Sequence, residues 1–297
     1  MDIIHQLTTI FCEIDDFCKE FGKYCHHKLL PSGKEGKTRG PKCKLVMSEI
    51  MTILVMFQMT GFRNFKIFYN GCVMRYWRQY FPELPSYNRF VELIGKAIFP
   101  LTIFAQLKSG KRTGIYYIDG SCLPVCHLKR QNQHKTFKEI AKFGKTSVGW
   151  FFRLKMHLVI NNFGQLIAFR ITQGNRSDSQ EAYSLLKALK GVAFGDKGYI
   201  GKPLFESLFK RGLKLITRKR KNMKPELLSQ SERQLLNQRG LVETVIGYLK
   251  CHYHVWHTRH RSILNAFTHL IASLAAYAIE PLKLSAIKLL MCDRNEL

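Results

Sequence analysis

Three acidic residues occur where they could bind one metal ion together. Asp119 and Asp196 each follow an apolar run, residues 115–118 and 192–195, of the kind that forms a buried strand. Glu243 lies in a segment whose apolar residues have helical spacing. Three carboxylates brought together repel one another unless a cation neutralises them, and oxygen ligands alone suit Mg²⁺ or Mn²⁺. The pattern therefore predicts a metal site formed by these acids.

Each acid also has an ordinary structural explanation. An Asp that follows a strand is often the first residue of a turn, and Asp-Gly and Lys-Gly are turn-like dipeptides. On a helix that turns about 100° per residue, Arg239, Glu243 and Lys250 fall on one side. Glu243 could then belong to a row of surface ion pairs, each worth about 0.2–0.5 kcal/mol. Any one acid leaves both explanations open, whereas the set of three favours the metal site.

The order and spacing of these residues resemble a known family. The R-x3-E-x6-K spacing that begins at residue 239, the Gly-Asp-Lys-Gly-Tyr segment of residues 195–199, and Asp119 are similar to the signature of DDE transposases from bacterial insertion sequences. The closest resemblance is to insertion-sequence family 982. The motifs cover roughly residues 115–256, and the ordered set is far more specific than any one motif.

The resemblance implies a fold, an activity and partners. The fold would be α/β, with a ribonuclease-H-like mixed sheet and flanking helices, preceded by an all-α N-terminal domain. Asp119, Asp196 and Glu243 would be catalytic residues and would hold two Mg²⁺ or Mn²⁺ ions. The enzyme would cleave double-stranded DNA at the terminal inverted repeats of its element and join the 3′ ends to target DNA. A homodimer would hold the paired ends, and Arg239 and Lys250 would bind flanking phosphates.

The charge of the chain also indicates a nucleic-acid partner. The 47 Lys and Arg against 21 Asp and Glu leave a net charge of +26, which favours a polyanion as the usual partner. The basic residues are spread along the chain rather than gathered on one amphipathic helix, which argues against a membrane surface. A basic stretch at residues 129–145 is expected to lie along DNA. Further residues expected to contact DNA phosphates are Lys197, Arg218, Lys219, Arg220 and Lys221.

The cysteines indicate the compartment and offer an alternative metal site. There are nine, at irregular spacing, and the first residues show no secretory leader, so we expect a reducing cytoplasm. The resemblance implies a bacterial, nucleoid-associated protein. Cys122, Cys126 and His127 could meet a histidine-rich segment, residues 252–257, around zinc. Neither group has a standard zinc-finger spacing.

The apolar periodicity predicts two domains. Residues 1–110 are expected to form a helical domain that, by the resemblance, binds terminal repeats. Its helices are predicted at residues 1–30, 45–60 and 87–98, the last ended by Pro100. Residues 111–297 are expected to form the catalytic domain, with strands at 115–122, 150–160, 165–172, 192–194 and 213–217. Helices at 178–189 and 202–210 are predicted between strands, and helices in 263–290 are expected to cover one face of the sheet.

Three acids are left out of the predicted site, and one of them, Glu139, is excluded because it lies in the basic stretch with no defined element beneath it. Asp178 and Glu181 fit a capping pair at the start of a helix, which is a sufficient structural explanation of both. Two other functions remain open at this stage. A stand-alone Mg²⁺-dependent nuclease of the same fold would cleave DNA but not join it, and a non-catalytic DNA-binding protein would need no metal.

Overall fold

The computed structural model describes residues 2–28, 44–126, 135–146, 149–219, 222–223, 227–256 and 260–281. By their contacts the residues form two compact units. Unit 1 consists of Met1–Leu107 and His260–Ala276, and unit 2 consists of Lys108–Arg259 and Tyr277–Leu297.

Unit 1 contains helices and no strand within its described residues. They are α1 Ile3–Lys28, α2 Met47–Met59, α3 Phe65–Phe68, α4 Met74–Tyr76, α5 Tyr87–Ile94, α6 Ile98–Leu107 and most of α11 Ile263–Ile279. Most side chains of α2 are buried, and α1 packs on α2 and buries Leu7, Ile10 and Ile14. Such burial of apolar surface is the main stabilising contribution to a helical unit of this kind.

Helix α11 belongs largely to unit 1. Its His269 Nδ1 lies 3.3 Å from Gln58 Nε2, and its Ser273 Oγ donates to Gln58 Oε1 at 3.0 Å. Asn265 donates to the carbonyl of Val91 at 3.0 Å. The sequence prediction placed this helix in the catalytic domain, over one face of the sheet. Its buried polar contacts with α2 and α5 group residues 260–276 with unit 1 instead, and residues 282–290 lie outside the described part of the chain.

The region around Pro100 also differs from the prediction. We expected Pro100 to end a helix, but the chain continues from α5 through a short 3₁₀ turn, Gly95–Ala97, into α6. Pro100 lies in the first turn of α6, where backbone N–H groups have no partner within the helix, so its missing N–H disrupts no hydrogen bond.

Among the residues that the structure describes, one helical segment, Tyr87–Leu107, is long and apolar enough to cross a membrane by length and composition alone. Half of its most apolar window is buried inside the protein, as the core helix of a soluble protein would be. This is weak support for a membrane span.

Unit 2 is built on one six-stranded mixed sheet. Its strands are β1 Ile115–Cys126, β2 Lys142–Thr146, β3 Gly149–Asn161, β4 Leu166–Gln173, β5 Gly191–Gly195 and β6 Leu213–Thr217. The order is β2-β3-β1-β5-β6, and β4 also pairs with β3. Both β2 and β4 pair with β3 antiparallel: β2 meets residues 149–153 and β4 meets residues 154–160, so they follow one another along the same edge. The β1–β3 pair is antiparallel, whereas β1–β5 and β5–β6 are parallel.

Helices cover both faces of this sheet. They are α7 Asp178–Leu186, α8 Lys202–Phe209, α9 Gln230–Asn237 and α10 Gly240–Cys251. Tyr116 and Ile118 of β1 share a buried cluster with apolar residues of α7 and α8. Tyr117, which points the other way because strand side chains alternate, donates a hydrogen bond to Gln238 just before α10 (3.3 Å). We refer to these as the α7 face and the α10 face.

Two strands differ from the sequence prediction. The prediction ended the first strand at Cys122 and treated Asp119-Gly120 as turn-like, but β1 runs on to Cys126 because its pairing with β3 continues past Asp119. Part of the basic stretch 129–145, expected along DNA, forms β2, while residues 127–134 lie outside the described chain. The remaining predicted strands of the sheet are present, with β6 at the predicted residues.

Candidate active site

Asp119 and Asp196 lie at the same level on neighbouring strands. Tyr117 of β1 is opposite Phe194 of β5 in the parallel pairing, and each acid lies two residues further along its own strand direction. Asp196 directly follows β5 with an extended backbone (φ −77°, ψ 174°). Side chains two residues apart share a face, so both acids point to the α10 face, where Tyr117 and Phe194 are in ring contact. Neighbouring strands are about 4.8 Å apart, so the sheet brings these two acids together.

The third acid, Glu243, lies in the first turn of α10. The helix packs on β1 and β3 through a buried apolar stripe at helical spacing, formed by Leu241, Val242, Val245, Ile246 and Leu249. This packing places Glu243 at the edge of the buried stripe, with its side chain 56% exposed. The start of α10 is fixed to the sheet by the hydrogen bond between Tyr117 and Gln238.

Burial and neighbouring charges make ionisation of Asp119 unfavourable. The pKa of Asp119 is raised to about 6, mainly by burial and to a smaller extent by the charges of Glu243 and Asp178. A hydrogen bond from the Gly120 N–H (2.9 Å) and the charge of Arg239 act in the opposite direction. The charge of Glu243 therefore reaches Asp119 across the α10 face. A buried carboxylate in such a negative environment is one whose charged form a bound cation would stabilise.

Arg239 acts within this cluster as an internal counter-ion. It immediately precedes α10 and is only 8% exposed, and its guanidinium forms an ion pair with Glu243. Its Nε is buried and has no hydrogen-bond partner among the described residues. The i,i+4 ion pair that the spacing allowed is thus present. The predicted phosphate contact by Arg239 stays a prediction, because most of its side chain is covered in this structure.

The donor chemistry fits a hard divalent cation, but the ligand set is not assembled. The three acids offer only carboxylate oxygens, which Mg²⁺ and Mn²⁺ prefer. Within the part of the chain that the structure describes, no three His, Cys, Asp or Glu side chains are placed to hold one metal ion. This applies equally to the zinc alternative with Cys122, Cys126, His252 and His254, while His127 and His257 lie outside the described residues.

Several predicted DNA contacts lie at the edge of the sheet that carries Asp196. Gly195 is opposite Thr217 in the β5–β6 pairing, so Arg218 and Lys219 follow β6 at the level where Asp196 and Lys197 follow β5. Lys197 and Arg218 are exposed and Lys219 is half-buried. Lys250 is half-buried near the end of α10. Arg220 and Lys221 lie outside the described residues.

Asp178 was left out of the predicted site, and the capping explanation for it is wrong. The cap of α7 is Ser177, whose backbone N–H donates to Gln180 Oε1 at 3.3 Å. Asp178 instead accepts from Lys155 Nζ at 2.8 Å and lies 3.4 Å from His157 Nδ1. Burial raises the pKa of Asp178, but its contacts with His157 and Lys155 outweigh this and lower it overall.

The second acid of the supposed capping pair is also engaged elsewhere. Glu181 is buried and pairs with Arg170 (3.1 Å) and Arg176 (3.7 Å). A signal for Asp178 was present in the sequence. Arg153, Lys155 and His157 alternate with apolar residues in β3, which marks a polar stripe on one face that needs partners.

Comparison with known proteins gives the family of the chain. Residues 109–263 match the family model described as transposase DDE domain. The match covers more than half of the 297 residues and includes the sheet, Asp119, Asp196 and Glu243. No curated protein and no solved structure matches the chain. The family match and the three acids on β1, after β5 and on α10 lead to one conclusion: the chain belongs to the transposase DDE-domain family, which acts on DNA.

Proposed function

We propose that this transposase cleaves DNA at the ends of its element and joins the resulting 3′ ends to target DNA. The observation that supports the proposal is the position of three acids in a chain of this family: Asp119 in β1, Asp196 directly after β5 and Glu243 in the first turn of α10. Asp119 and Asp196 each lie two residues beyond the paired residues Tyr117 and Phe194 of the parallel strands β1 and β5, and the charge of Glu243 in α10 raises the pKa of Asp119.

The strand order supports a ribonuclease-H-like fold for unit 2. Without the short β2, the sheet reads β4-β3-β1-β5-β6, with three antiparallel strands followed by two parallel ones. The first strand lies in the centre, between β3 and β5. We assign recognition of the terminal repeats to the helical unit 1, and membership in insertion-sequence family 982 stays part of the proposal.

The chemistry needs no nucleophile from the protein. Water attacks the phosphodiester bond at the element end, which leaves a 3′-hydroxyl on one fragment and a 5′-phosphate on the other. The 3′-hydroxyl oxygen then attacks a phosphorus atom of target DNA, forms a new phosphodiester bond and releases a target 3′-hydroxyl. The number of phosphodiester bonds is unchanged in this second step.

The residues of the chain divide the work between metal binding and DNA positioning. Asp119, Asp196 and Glu243 would hold two Mg²⁺ or Mn²⁺ ions, which when bound activate the attacking oxygen and stabilise the leaving one. In the metal-free protein, Arg239 offsets part of the negative charge through its ion pair with Glu243. Lys197, Arg218 and Lys219, at the adjoining edge of the sheet, would bind DNA phosphates.

Substitution of each acid tests the proposal. Asp119→Asn, Asp196→Asn and Glu243→Gln should each abolish Mg²⁺-dependent cleavage of a duplex that carries the element end, while DNA binding stays intact or becomes tighter. Glu139→Gln is the matched control, because Glu139 is an exposed acid of the same unit. If any one of the three variants cleaved DNA at a rate near that of the wild type, the assignment of that residue would be wrong.

A second assay separates a transposase from a nuclease of the same fold. A pre-cut element end is incubated with a supercoiled plasmid and Mg²⁺, and joined products are measured. A transposase gives joined products, whereas a stand-alone nuclease gives only cleavage. Two copies of the chain on paired ends, in a bacterial cytoplasm, are the assembly that we propose for this reaction.

A further inference from the structure

A cluster of mixed charge lies on the α7 face, beneath the backbone that carries Asp119 and Asp196. We call it the Lys155–His157–Asp178 cluster. The Asp178 carboxylate accepts from Lys155 Nζ at 2.8 Å and lies 3.4 Å from His157 Nδ1. His157 is fully buried, and its Nε2 lies 3.0 Å from Thr172 Oγ1 of β4. Lys155 and His157 stand on the sheet, so they fix the start of α7 against β3.

The fixed carboxylate touches both backbone segments that carry catalytic acids. A Cβ on Gly120, which follows Asp119, would lie 2.3 Å from Asp178 Oδ1. A Cβ on Gly198, two residues after Asp196, would lie 3.3 Å from Asp178 Oδ2. One oxygen of Asp178 therefore faces each segment, and the absence of a side chain at Gly120 is what admits it.

The side of the sheet decides which role this carboxylate can have. Gly120 faces the α7 face, because a Cβ there would meet Asp178, Lys155 and His157. Asp119 is the next residue along the strand and so faces the α10 face. Asp178 thus lies behind the acids rather than among them, with one oxygen accepting from Lys155 Nζ at 2.8 Å and the other 3.4 Å from His157 Nδ1. This arrangement suits a residue that acts through its neighbours.

We propose that Asp178 is a positioning residue: held by Lys155 and His157, its carboxylate sets the spacing between the backbone at Gly120 and that at Gly198, and so aligns Asp119 with Asp196. The inference rests on the proposed function, since the alignment matters only if these two acids share metal ions. Residues that orient metal ligands from behind typically change metal affinity or activity by about 10–100-fold when substituted.

A Mn²⁺ titration of the full-length protein tests this without relying on activity. Mn²⁺ that binds the folded state raises the temperature of thermal unfolding, and the half-saturating concentration is read from that rise. Asp178→Asn should increase this concentration about tenfold or more. The amide keeps the size of the carboxylate but places an N–H₂ donor against Lys155 or His157, so the side chain is no longer held.

The matched control is Glu181→Gln on the same helix. Glu181 is a buried, ion-paired acid and Asp178 a half-buried one, but the Glu181 partners Arg170 and Arg176 are not among the atoms nearest to a Cβ on Gly120 or Gly198. Its substitution should leave the half-saturating Mn²⁺ concentration unchanged. Lys155→Gln is a second, milder variant, since it keeps a hydrogen-bond donor for Asp178, and it should shift the concentration in the same direction by less.

Cleavage of a terminal duplex across the same Mn²⁺ series gives the second readout. Asp178→Asn should lower the rate and raise the half-maximal Mn²⁺ concentration, with DNA affinity unchanged. If the substitution only reduced the amount of folded enzyme, the rate would fall by the same factor at every Mn²⁺ concentration. The half-maximal Mn²⁺ concentration would then equal that of the wild type.

Each other outcome overturns the inference in a distinguishable way. A folded Asp178→Asn protein with the wild-type half-saturating Mn²⁺ concentration contradicts the positioning role, and the proposed function stands if the wild type cleaves and Asp119→Asn does not. An equal shift in Glu181→Gln would assign the effect to loss of any buried ion pair on α7. A wild-type protein that shows neither Mn²⁺ stabilisation nor cleavage removes both proposals.

Discussion

At the scale of single residues, burial of Asp119 makes the metal-free protein less stable as the pH rises. Its folded pKa is about 6 against a model value of 3.8, so between these values the folded state holds the proton more tightly than the unfolded state. The stabilisation by the protonated form is full below pH 3.8 and is lost as the pH rises through 6. The buried charge of Asp119 therefore lowers the stability of the folded protein at neutral pH.

This gives a prediction for Asp119→Asn, which removes the titrating group and keeps its shape. At pH 8 the metal-free variant should be more stable than the wild type by up to about 2–3 kcal/mol, whereas at pH 4 the two should be nearly equal. Urea unfolding at both pH values with a chelator present measures this. Glu139→Gln, which removes one exposed acid, controls for the change in net charge. Equal effects of the two substitutions at pH 8 would contradict the burial of Asp119.

The sequence indicated the acids of β1, β5 and α10 more clearly than the surroundings of those acids. An acid that follows a short apolar run can be recognised from the sequence alone, and so can the helical spacing of apolar residues around Glu243. Local sequence patterns do not predict that Arg239 is buried or which residues contact Asp178. Asp178 fits a local capping pattern with Glu181, yet Ser177 and Gln180 fit one too, and only the contact with Lys155 across the fold decides between them.

At the scale of elements, one close contact fixes the register of β1 against β5. Gly191 begins β5 with φ +109°, and its N–H donates to the carbonyl of Gly212. The next N–H, that of Val192, donates to the Gly114 carbonyl at 2.8 Å. A Cβ on Gly191 would lie 2.2 Å from that same Gly114 oxygen. Because backbone cannot yield as a side chain can, only glycine fits at this position.

Gly191→Ala should therefore destabilise the protein by about 2 kcal/mol or more, through both the positive φ and the clash with Gly114. Gly247→Ala is the control, since Gly247 lies within α10 and the added methyl group would have no atom within 4 Å beyond its chain neighbours and the backbone of its own helix. That substitution should stabilise the protein by about 0.5–1 kcal/mol. Urea unfolding of both variants measures the difference. A neutral Gly191→Ala would show that the start of β5 can move away from β1.

Most strands of the sheet could be predicted from the sequence, but where each strand ends depends on the neighbouring strand with which it pairs. β6 was predicted at the observed residues, where the short run Leu-Lys-Leu-Ile-Thr follows Gly212. β1 exceeds its predicted end because pairing with β3 carries it past the turn-like Asp119-Gly120. β2 was not predicted, because its residues belong to a basic stretch that was expected to lie along DNA, whereas in the structure they pair with β3. Strand pairing is a contact between distant segments, so local patterns determine it only in part.

At the scale of the whole molecule, the assignment of α11 shows what apolar periodicity leaves open. The pattern of residues 263–279 predicts a buried helix but not the surface that buries it. The choice is made by polar groups far apart in sequence, as in the contact of Gln58 with both His269 and Ser273. A buried amide must satisfy its hydrogen bonds, so it specifies a partner where leucines would not.

The net charge of +26 predicts that DNA affinity falls steeply as the salt concentration rises. The cations that follow β6 should contribute a measurable part of the slope of log affinity against log salt concentration. Arg218→Ala combined with Lys219→Ala should reduce the slope of log affinity against log salt by about 2, since each phosphate contact contributes about 0.9. Fluorescence anisotropy with a terminal-repeat duplex across a NaCl series measures the slope. Lys23→Ala is the control, because Lys23 is an exposed cation already paired with Glu20 at 2.7 Å. An unchanged slope in the double variant, or an equal change in the control, would mean that the sheet edge beside Asp196 does not bind the DNA backbone.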